Sequence, residues 1–147
     1  MYNSYKILSI WSLMPLISTK GTYGLAAICE LSKHKEDSPM QIKEIASNAN
    51  IPQNYLEQLL GKLRRAGIVK SIRGAKGGYE LAKDPKEMKV LDILIALEDD
   101  LKIVDAKIDH PILNIFFHDS KESIKEIFDI SITELSQYQN KFLNYTI

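Results

Sequence analysis

Apolar residues recur at helical spacing in three consecutive segments of the first half of the chain. Residues 22–35 and 41–49 carry apolar side chains three and four positions apart, which predicts two short amphipathic helices. Residues 48–50 form a turn, and Pro52 suits the first turn of a third helix. Two short helices and a tight turn predict a helix-turn-helix. The predicted buried stripe of the third helix consists of Leu56, Leu59, Leu60 and Leu63.

The pattern changes after Gly67, a plausible end for the third helix. Residues 68–72 and 79–82 resemble strands joined by a basic, glycine-rich tip, which predicts a β-hairpin. Helices are predicted over 90–97, 110–128 and 132–140, with a capping box of Ser131 and Glu134 opening the last one. The acidic connection 98–109 carries few apolar residues, so we expect it to stay out of the core.

These elements predict a mainly α fold with a small β-hairpin, a winged helix-turn-helix domain followed by a long C-terminal dimerisation helix. We divide the chain into an N-terminal extension (1–17), the winged helix-turn-helix domain (18–98), and a linker, dimerisation helix and tail (99–147). The helix over 110–128 is more apolar than one small domain could cover. We therefore expect a homodimer whose core includes Ile112, Phe116, Phe117, Ile124 and Phe128.

The 147 residues have a net charge of zero, but the charge is unevenly distributed. Residues 1–90 carry 14 basic and 8 acidic side chains, whereas residues 91–147 carry 5 basic and 11 acidic ones. Such asymmetry predicts one surface for a polyanion and another for a different partner.

The positive charge is concentrated between the third helix and the hairpin. All three arginines, Arg64, Arg65 and Arg73, lie here, and residues 62–76 hold six positive and no negative side chains. The planar guanidinium suits bidentate contacts to phosphate or guanine and insertion into a narrow minor groove, the role expected for Arg73. Glycines in the tip, Gly74, Gly77 and Gly78, permit sharp turning and close approach to phosphates. A solvated β-turn is the alternative for this segment.

The outward face of the third helix carries Asn54, Glu57 and Gln58. A carboxylate is repelled by phosphates, so Glu57 on a DNA-facing surface indicates a hydrogen bond from cytosine N4. Gln58 and Asn54 suit adenine or backbone contacts. An ordinary solvated helix face is the alternative, and the adjacent basic hairpin favours DNA recognition.

Three motifs resemble the Rrf2 family of bacterial winged-helix transcription regulators. They are STKGTYGL (residues 18–25), YLEQLLGKLRRAGIVKSIRGAKGGYEL (55–81) and ISITEL (130–135), and the resemblance covers residues 17–140. It implies a homodimer on a pseudo-palindromic operator in double-stranded DNA. It also implies that the third helix reads the major groove, that Arg73 and its loop enter the minor groove, and that the start of the first helix contacts the DNA backbone. Thr22 stands where the family often has arginine, which removes one phosphate contact. The complete predicted DNA-binding set is Ser18, Thr19, Lys20, Tyr23, Asn54, Glu57, Gln58, Lys62, Arg64, Arg73, Gly74, Lys76, Gly77 and Gly78.

Iron–sulfur members of this family carry three cysteines between the short helix and the long one. This chain has a single cysteine, Cys29, in the apolar stripe of the first helix. Residues 99–110 offer only carboxylates and one imidazole, which do not suit a cluster normally held by thiolates. We therefore expect no cofactor and no metal site.

Cluster-free members of the family include a repressor of cysteine metabolism, and the resemblance to it implies O-acetylserine thiol-lyase, a cysteine synthase, as a partner. The chain ends in Tyr145, Thr146 and Ile147, and a C-terminal carboxylate with an apolar anchor can be captured by a partner's pocket. A frayed tail is the alternative for these residues.

Other classes of function receive little support. The apolar stretch 7–17 has 11 residues, below the ~20 that cross a bilayer, so we expect a cytoplasmic protein. No catalytic constellation is visible, which argues against an enzyme. The rival hypothesis is a winged-helix protein-interaction module. Steep salt dependence of binding would favour DNA over an apolar protein interface.

Overall fold

The computed structural model describes residues 16–35, 37–104, 107 and 109–145. It is mainly helical with a two-stranded antiparallel hairpin, which confirms the predicted fold class. The predicted extension 1–17 lies almost wholly outside the described residues. The elements are α1 Thr19–Lys33, α2 Ile42–Ala49, α3 Gln53–Arg65, β1 Val69–Ile72, β2 Gly78–Leu81, α4 Val90–Glu98, α5 Pro111–Phe128, α6 Ile132–Ser136 and α7 Tyr138–Tyr145.

Local sequence signals explain where the first helices begin and end. Helix α1 begins at Thr19, earlier than the hydrophobic pattern predicts, because the Ser18 side chain accepts the Lys20 N–H and caps it. Helix α2 ends at Asn50, which adopts a left-handed conformation with φ of 54°. Gly67, with φ of 71°, ends the turn after α3 as predicted.

The hairpin is extended by a bridge from the segment before α2. Val69 pairs with Leu81, and Ile72 pairs with Gly78 next to the tip. Met40 adds a bridge to the outer edge, since its N–H donates to the Tyr79 carbonyl at 3.0 Å and its carbonyl accepts the Tyr79 N–H at 2.9 Å. We call this hairpin, residues 69–81, the wing. It is thereby attached to the helix-turn-helix at both its base and its edge.

The core lies between α1, α3 and α4. The predicted leucine stripe of α3 is buried throughout, and Ile93, Leu94 and Leu97 of α4 are fully buried against it. Helices α1 and α4 approach closely at Gly24, where a Cβ would overlap the Leu97 side chain. Leu101 of the acidic connection is only 1% exposed, but it does not belong to the main core cluster. An apolar side chain next to the end of α4 is thus buried even in a polar segment.

Residues 130–132 return to the core from the C-terminal side. The Val90 N–H donates to the Ile130 carbonyl at 2.9 Å, and the Ile132 N–H donates to the Met88 carbonyl at 2.8 Å. The predicted capping box of Ser131 and Glu134 is present at the start of α6. The backbone hydrogen bond from Ser131 holds the pKa of the Glu134 carboxyl below its usual value. The single helix predicted over 132–140 is instead two, because α6 ends before Gln137 and α7 follows.

Helix α5 has no buried residue in spite of its 18-residue length. Of the five predicted dimerisation residues, Ile112 and Phe116 are 73% and 60% exposed. Phe117, Ile124 and Phe128 are half-buried on the side facing the chain itself, and Phe128 contacts the core. Ile127, which the predicted set omits, is 68% exposed. Among the described residues, no helix combines the length and the apolar character that crossing a membrane requires.

Candidate nucleic-acid interface

The outward face of α3 is a continuous, solvent-exposed polar surface. Because its leucines face the core, the opposite side presents Asn54, Glu57 and Gln58, all exposed. A shallow open groove runs along this side of the helix. Its lining consists of Asn54, Glu57, Gln58, Gly61, Lys62 and Arg65. The structure thus brings the predicted base-reading residues together on one helix face.

The wing is fastened directly to α3. The Ile68 N–H donates to the Leu63 carbonyl at 2.9 Å, which turns the chain sharply from the helix into β1. The Arg64 guanidinium donates to the Ser71 hydroxyl at 3.3 Å and so joins the last turn of α3 to β1. The end of α3 and the base of the wing therefore form one connected surface.

The six cationic side chains of residues 62–76 are largely free of acidic partners. Lys70 pairs with Glu80 across the hairpin at 3.0 Å. Within the part of the chain that the structure describes, the other five have no carboxylate within ion-pair distance. These five are Lys62, Arg64, Arg65, Arg73 and Lys76. A cluster of uncompensated positive charge on exposed side chains attracts a polyanion.

The backbone conformation and close contacts of the wing tip themselves require glycines there. Gly74 has φ of 114°, and its carbonyl accepts the Gly77 N–H at 2.9 Å in a tight turn. A Cβ at Gly77 would overlap the Ile72 carbonyl, and one at Gly78 would overlap the Met40 carbonyl. The Gly77 N–H is used inside the turn, so the amide predicted to approach a phosphate is already bonded. Arg73, Gly74 and Lys76 are exposed at the tip.

The start of α1, predicted to contact the DNA backbone, is fixed at two points. The Tyr23 ring packs edge-on against Tyr55 in the first turn of α3, with ring centroids 5.8 Å apart. The Ser18 hydroxyl donates to the Glu98 carboxylate at 2.6 Å. Thr19 is exposed and Lys20 is partly exposed. Phosphate contact by these residues stays a prediction, but their position beside the recognition helix suits it.

The predicted set omits three residues of this surface, Glu98, Gly61 and Arg65. Glu98 holds the start of α1 from the end of α4, a contact that sequence spacing cannot reveal because 80 positions separate it from Ser18. Gly61 lies in the groove of α3, where a Cβ would meet only the Arg65 guanidinium at 3.6 Å. A glycine in the middle of an exposed helix face was the available signal.

Comparison with known proteins decides the family. The model of the Rrf2 family, described as "Iron-dependent Transcriptional regulator", matches residues 17–144. The chain belongs to the Rrf2 family. It is 40% identical to the transcriptional regulator CymR of Bacillus subtilis over 83% of this chain and 90% of that protein.

Solved Rrf2 structures have the same fold. The structure of CymR, "the Global Cysteine Regulator of B. subtilis", is 40% identical with a TM-score of 0.74 and covers 83% of this chain and 96% of that one. The structure of T. potens IscR is 39% identical with a TM-score of 0.71 and covers 84% and 87% of the two chains. The chain is therefore a DNA-binding transcriptional regulator of the winged-helix type, as the sequence predicts, and not an enzyme. The rival hypothesis of a protein-interaction module is not favoured.

The family description refers to iron, and the donor groups of this chain do not fit an iron–sulfur cluster. Asp100 is engaged by Lys121, whose Nζ lies 2.7 Å from its carboxylate and lowers the pKa of that carboxyl. His110 accepts the Leu113 N–H at the start of α5. Among the described residues, no group of three or more histidine, cysteine or acidic side chains could hold a metal ion.

The single thiol stands apart from this region. Cys29 lies on α1, where it is half-buried, and burial raises the pKa of its thiol. A raised pKa lowers the fraction of reactive thiolate. Thr146 and Ile147 of the predicted partner tail lie outside the described residues, as does the side chain of Tyr145.

Proposed function

We propose that this protein is a homodimeric repressor that binds a pseudo-palindromic operator through residues 18–98. In each half-site α3 lies in the major groove and the wing enters the adjacent minor groove. The two recognition helices would then lie about one helical turn apart, ~34 Å. The observation that carries the proposal is the uncompensated cationic cluster on the end of α3 and the wing, joined by the bond from Arg64 to Ser71.

Base recognition is assigned to the groove face of α3. Glu57 is exposed in the middle of this face, between Asn54 and the basic end of the helix. Since a carboxylate near phosphates is favourable only where it accepts a hydrogen bond, Glu57 would accept one from cytosine N4. Asn54 and Gln58 would bond to neighbouring bases, and Arg73 would occupy the minor groove.

Dimerisation is assigned to the uncovered side of α5. Ile112, Phe116 and Ile127 recur at spacings of four and eleven residues, which places them along one stripe of the helix. All three are more than half exposed in the single chain. A second copy of the same stripe would cover them across a two-fold axis, and that axis would match the symmetry of the operator.

A role in cysteine metabolism is inferred from the relatives. One structure similar to this chain is that of the global cysteine regulator of B. subtilis. The resemblance to cluster-free repressors also implies O-acetylserine thiol-lyase as a partner, which would capture Tyr145, Thr146 and Ile147 by the terminal carboxylate. Phe142 and Leu143 of α7, which precede these residues, are exposed.

The proposal is tested by recovering bound genomic fragments and titrating one recovered site at several salt concentrations by fluorescence anisotropy. Wild-type affinity should fall steeply with salt. Arg73→Ala should weaken binding by ~1 to 3 kcal/mol, because it loses a groove contact. The matched control is Lys141→Ala, which removes one positive charge from α7 in the acidic half of the chain and should leave the affinity nearly unchanged.

Equal losses for the two variants, or wild-type binding that ignores salt, would contradict the proposal. In the same titration, adding the synthase should change operator affinity for the full chain and not for a chain that lacks Ile147. An equal effect on both chains would remove the proposed tail contact.

A further inference from the structure

The end of α4 supplies a cap to the start of α1. One oxygen of Glu98, Oε1, accepts three hydrogen bonds from this turn: from the Ser18 N–H at 3.0 Å, from the Ser18 hydroxyl at 2.6 Å and from the Gly21 N–H at 3.0 Å. The amides of a first helical turn have no acceptor within their own helix. Glu98 therefore satisfies donors that the sequence of α1 leaves without an acceptor.

This arrangement replaces the usual capping box with a long-range one. In a capping box, a Glu or Gln at the third helical position bonds to the N-cap amide. Here that position is Gly21, and a Cβ on it would lie too close to both Glu98 Oε1 and the Ile17 side chain. The carboxylate comes instead from another helix, so the capping bond also fixes α1 relative to α4.

The same turn carries the predicted DNA backbone contacts. Thr19 and Lys20 lie in it, and Tyr23 follows one turn later with its ring against Tyr55 of the recognition helix. Glu98 bonds to this turn, and Tyr55 contacts the next turn through the Tyr23 ring. The orientation of the turn relative to α3 thus depends on the Glu98 carboxylate.

Glu98 also lies where the chain leaves the winged-helix core for α5. The next residue, Asp99, adopts φ of 67°, which is uncommon outside glycine, and Leu101 is buried immediately beyond it. Asp100 then pairs with Lys121 of α5. A continuous series of contacts therefore joins α5, the end of α4 and the start of α1.

We propose that Glu98 is a positioning residue for DNA binding, which orients the first turn of α1 so that it can contact a phosphate. The proposal rests on the proposed function, because it requires that this turn faces DNA. The carboxylate itself does not touch DNA. Its negative charge would weaken the binding of a polyanion if orientation played no part, so the two explanations predict opposite signs for its neutralisation.

The test compares Glu98→Ala with Asp99→Asn on the operator site recovered above. Both variants remove one negative charge from adjacent residues, but only Glu98→Ala also removes the acceptor that caps α1, and the Asp99 side chain is exposed. Glu98→Ala should weaken binding on the order of tenfold and reduce the slope of log affinity against log salt by about one, the signature of a lost phosphate contact. Asp99→Asn should bind as tightly as the wild type or slightly tighter, with an unchanged slope.

A purely structural role would lower the folded fraction without changing the salt slope of the folded protein. Circular dichroism at the titration temperature measures that fraction. If Glu98→Ala does not fold, Glu98→Asp retains the charge, withdraws it by one methylene and should shift affinity and slope in the same direction. An unchanged slope, or tighter binding by the Glu98 variant, overturns the proposal. Wild-type binding that ignores salt overturns the proposed function instead, so the two failures are distinguishable.

Discussion

The winged-helix core and α5 show two ways in which one chain can use apolar residues. In the core, Ile28, Leu60 and Ile93 are fully buried, each on a different helix. Over the 18 residues of α5 there is no buried residue. The apolar side chains of the core are covered by other helices of the same chain. Those of α5 are covered by the chain on one side of the helix only.

The physical reason is the number of neighbouring elements. Helices α1, α3 and α4 pack against one another, so the apolar stripe of each faces two others. One side of α5 packs against the rest of the chain through Phe117, Ile124 and Phe128. The other side leaves Ile112 and Phe116 exposed to solvent. Exposed apolar stripes of this kind mark association surfaces.

The largest effect is expected from truncating the core. Leu60→Ala removes a fully buried side chain of α3 and should lower the free energy of unfolding by about 2 to 5 kcal/mol. The matched control is Leu143→Ala in α7, where the side chain is 54% exposed and the loss should stay below about 1 kcal/mol. Urea unfolding at one fixed protein concentration measures both. Similar losses would show that the Leu143 side chain is as well covered as the Leu60 side chain.

Truncating the exposed apolar side chains of α5 should affect folding less than the core variant does, but it should affect dimer assembly strongly. Combining Ile112→Ala with Phe116→Ala should weaken the proposed dimer by at least ~100-fold while the chain stays folded, since both side chains are exposed in the single chain. Combining Glu122→Ala with Lys125→Ala removes an ion pair from another side of the same helix and should leave the dimer intact. Sedimentation equilibrium distinguishes these results. An unchanged association constant for the apolar pair would place the interface elsewhere.

The smallest changes in stability are expected at two glycines of the winged-helix domain, Gly24 and Gly61. The two changes have opposite signs. Gly24→Ala should destabilise the chain by about 1 to 3 kcal/mol, because its Cβ overlaps the Leu97 side chain. Gly61→Ala should stabilise it by about 0.5 to 1 kcal/mol, since the helix has room for a Cβ there and alanine favours helix. Thermal and urea unfolding measure both changes. A loss of stability for Gly61→Ala would mean that the chain itself requires this glycine.

Local signals predicted much of the fold. The leucine stripe of α3, the end of its turn at Gly67 and the capping box of Ser131 with Glu134 are all present as expected. The patterns are local and repeat within one or two turns, so neighbouring residues are enough to identify them. The start of α1 at Thr19 was missed because the helix begins with a polar, capped turn that carries no hydrophobic period.

The candidate interface was predictable for a similar reason and to a similar extent. Asn54, Glu57 and Arg73 follow from helix periodicity and from the clustering of arginines along the sequence. Glu98 does not, because its contact with Ser18 exists only once α4 has packed against α1. The same holds for the close approach at Gly78, where a Cβ would overlap the Met40 carbonyl of another segment.

Side-chain periodicity and composition act over a few residues, so they are enough to indicate which segments form helices and strands, which helix face is apolar and where positive charge collects. The packing of whole helices is what buries Leu101, adds Ile132 to the core, turns Phe128 toward the chain and Ile127 toward solvent, and brings a carboxylate at the end of α4 to cap α1. Those outcomes depend on how separate helices approach one another, and the packing geometry of distant segments is not encoded in any local pattern.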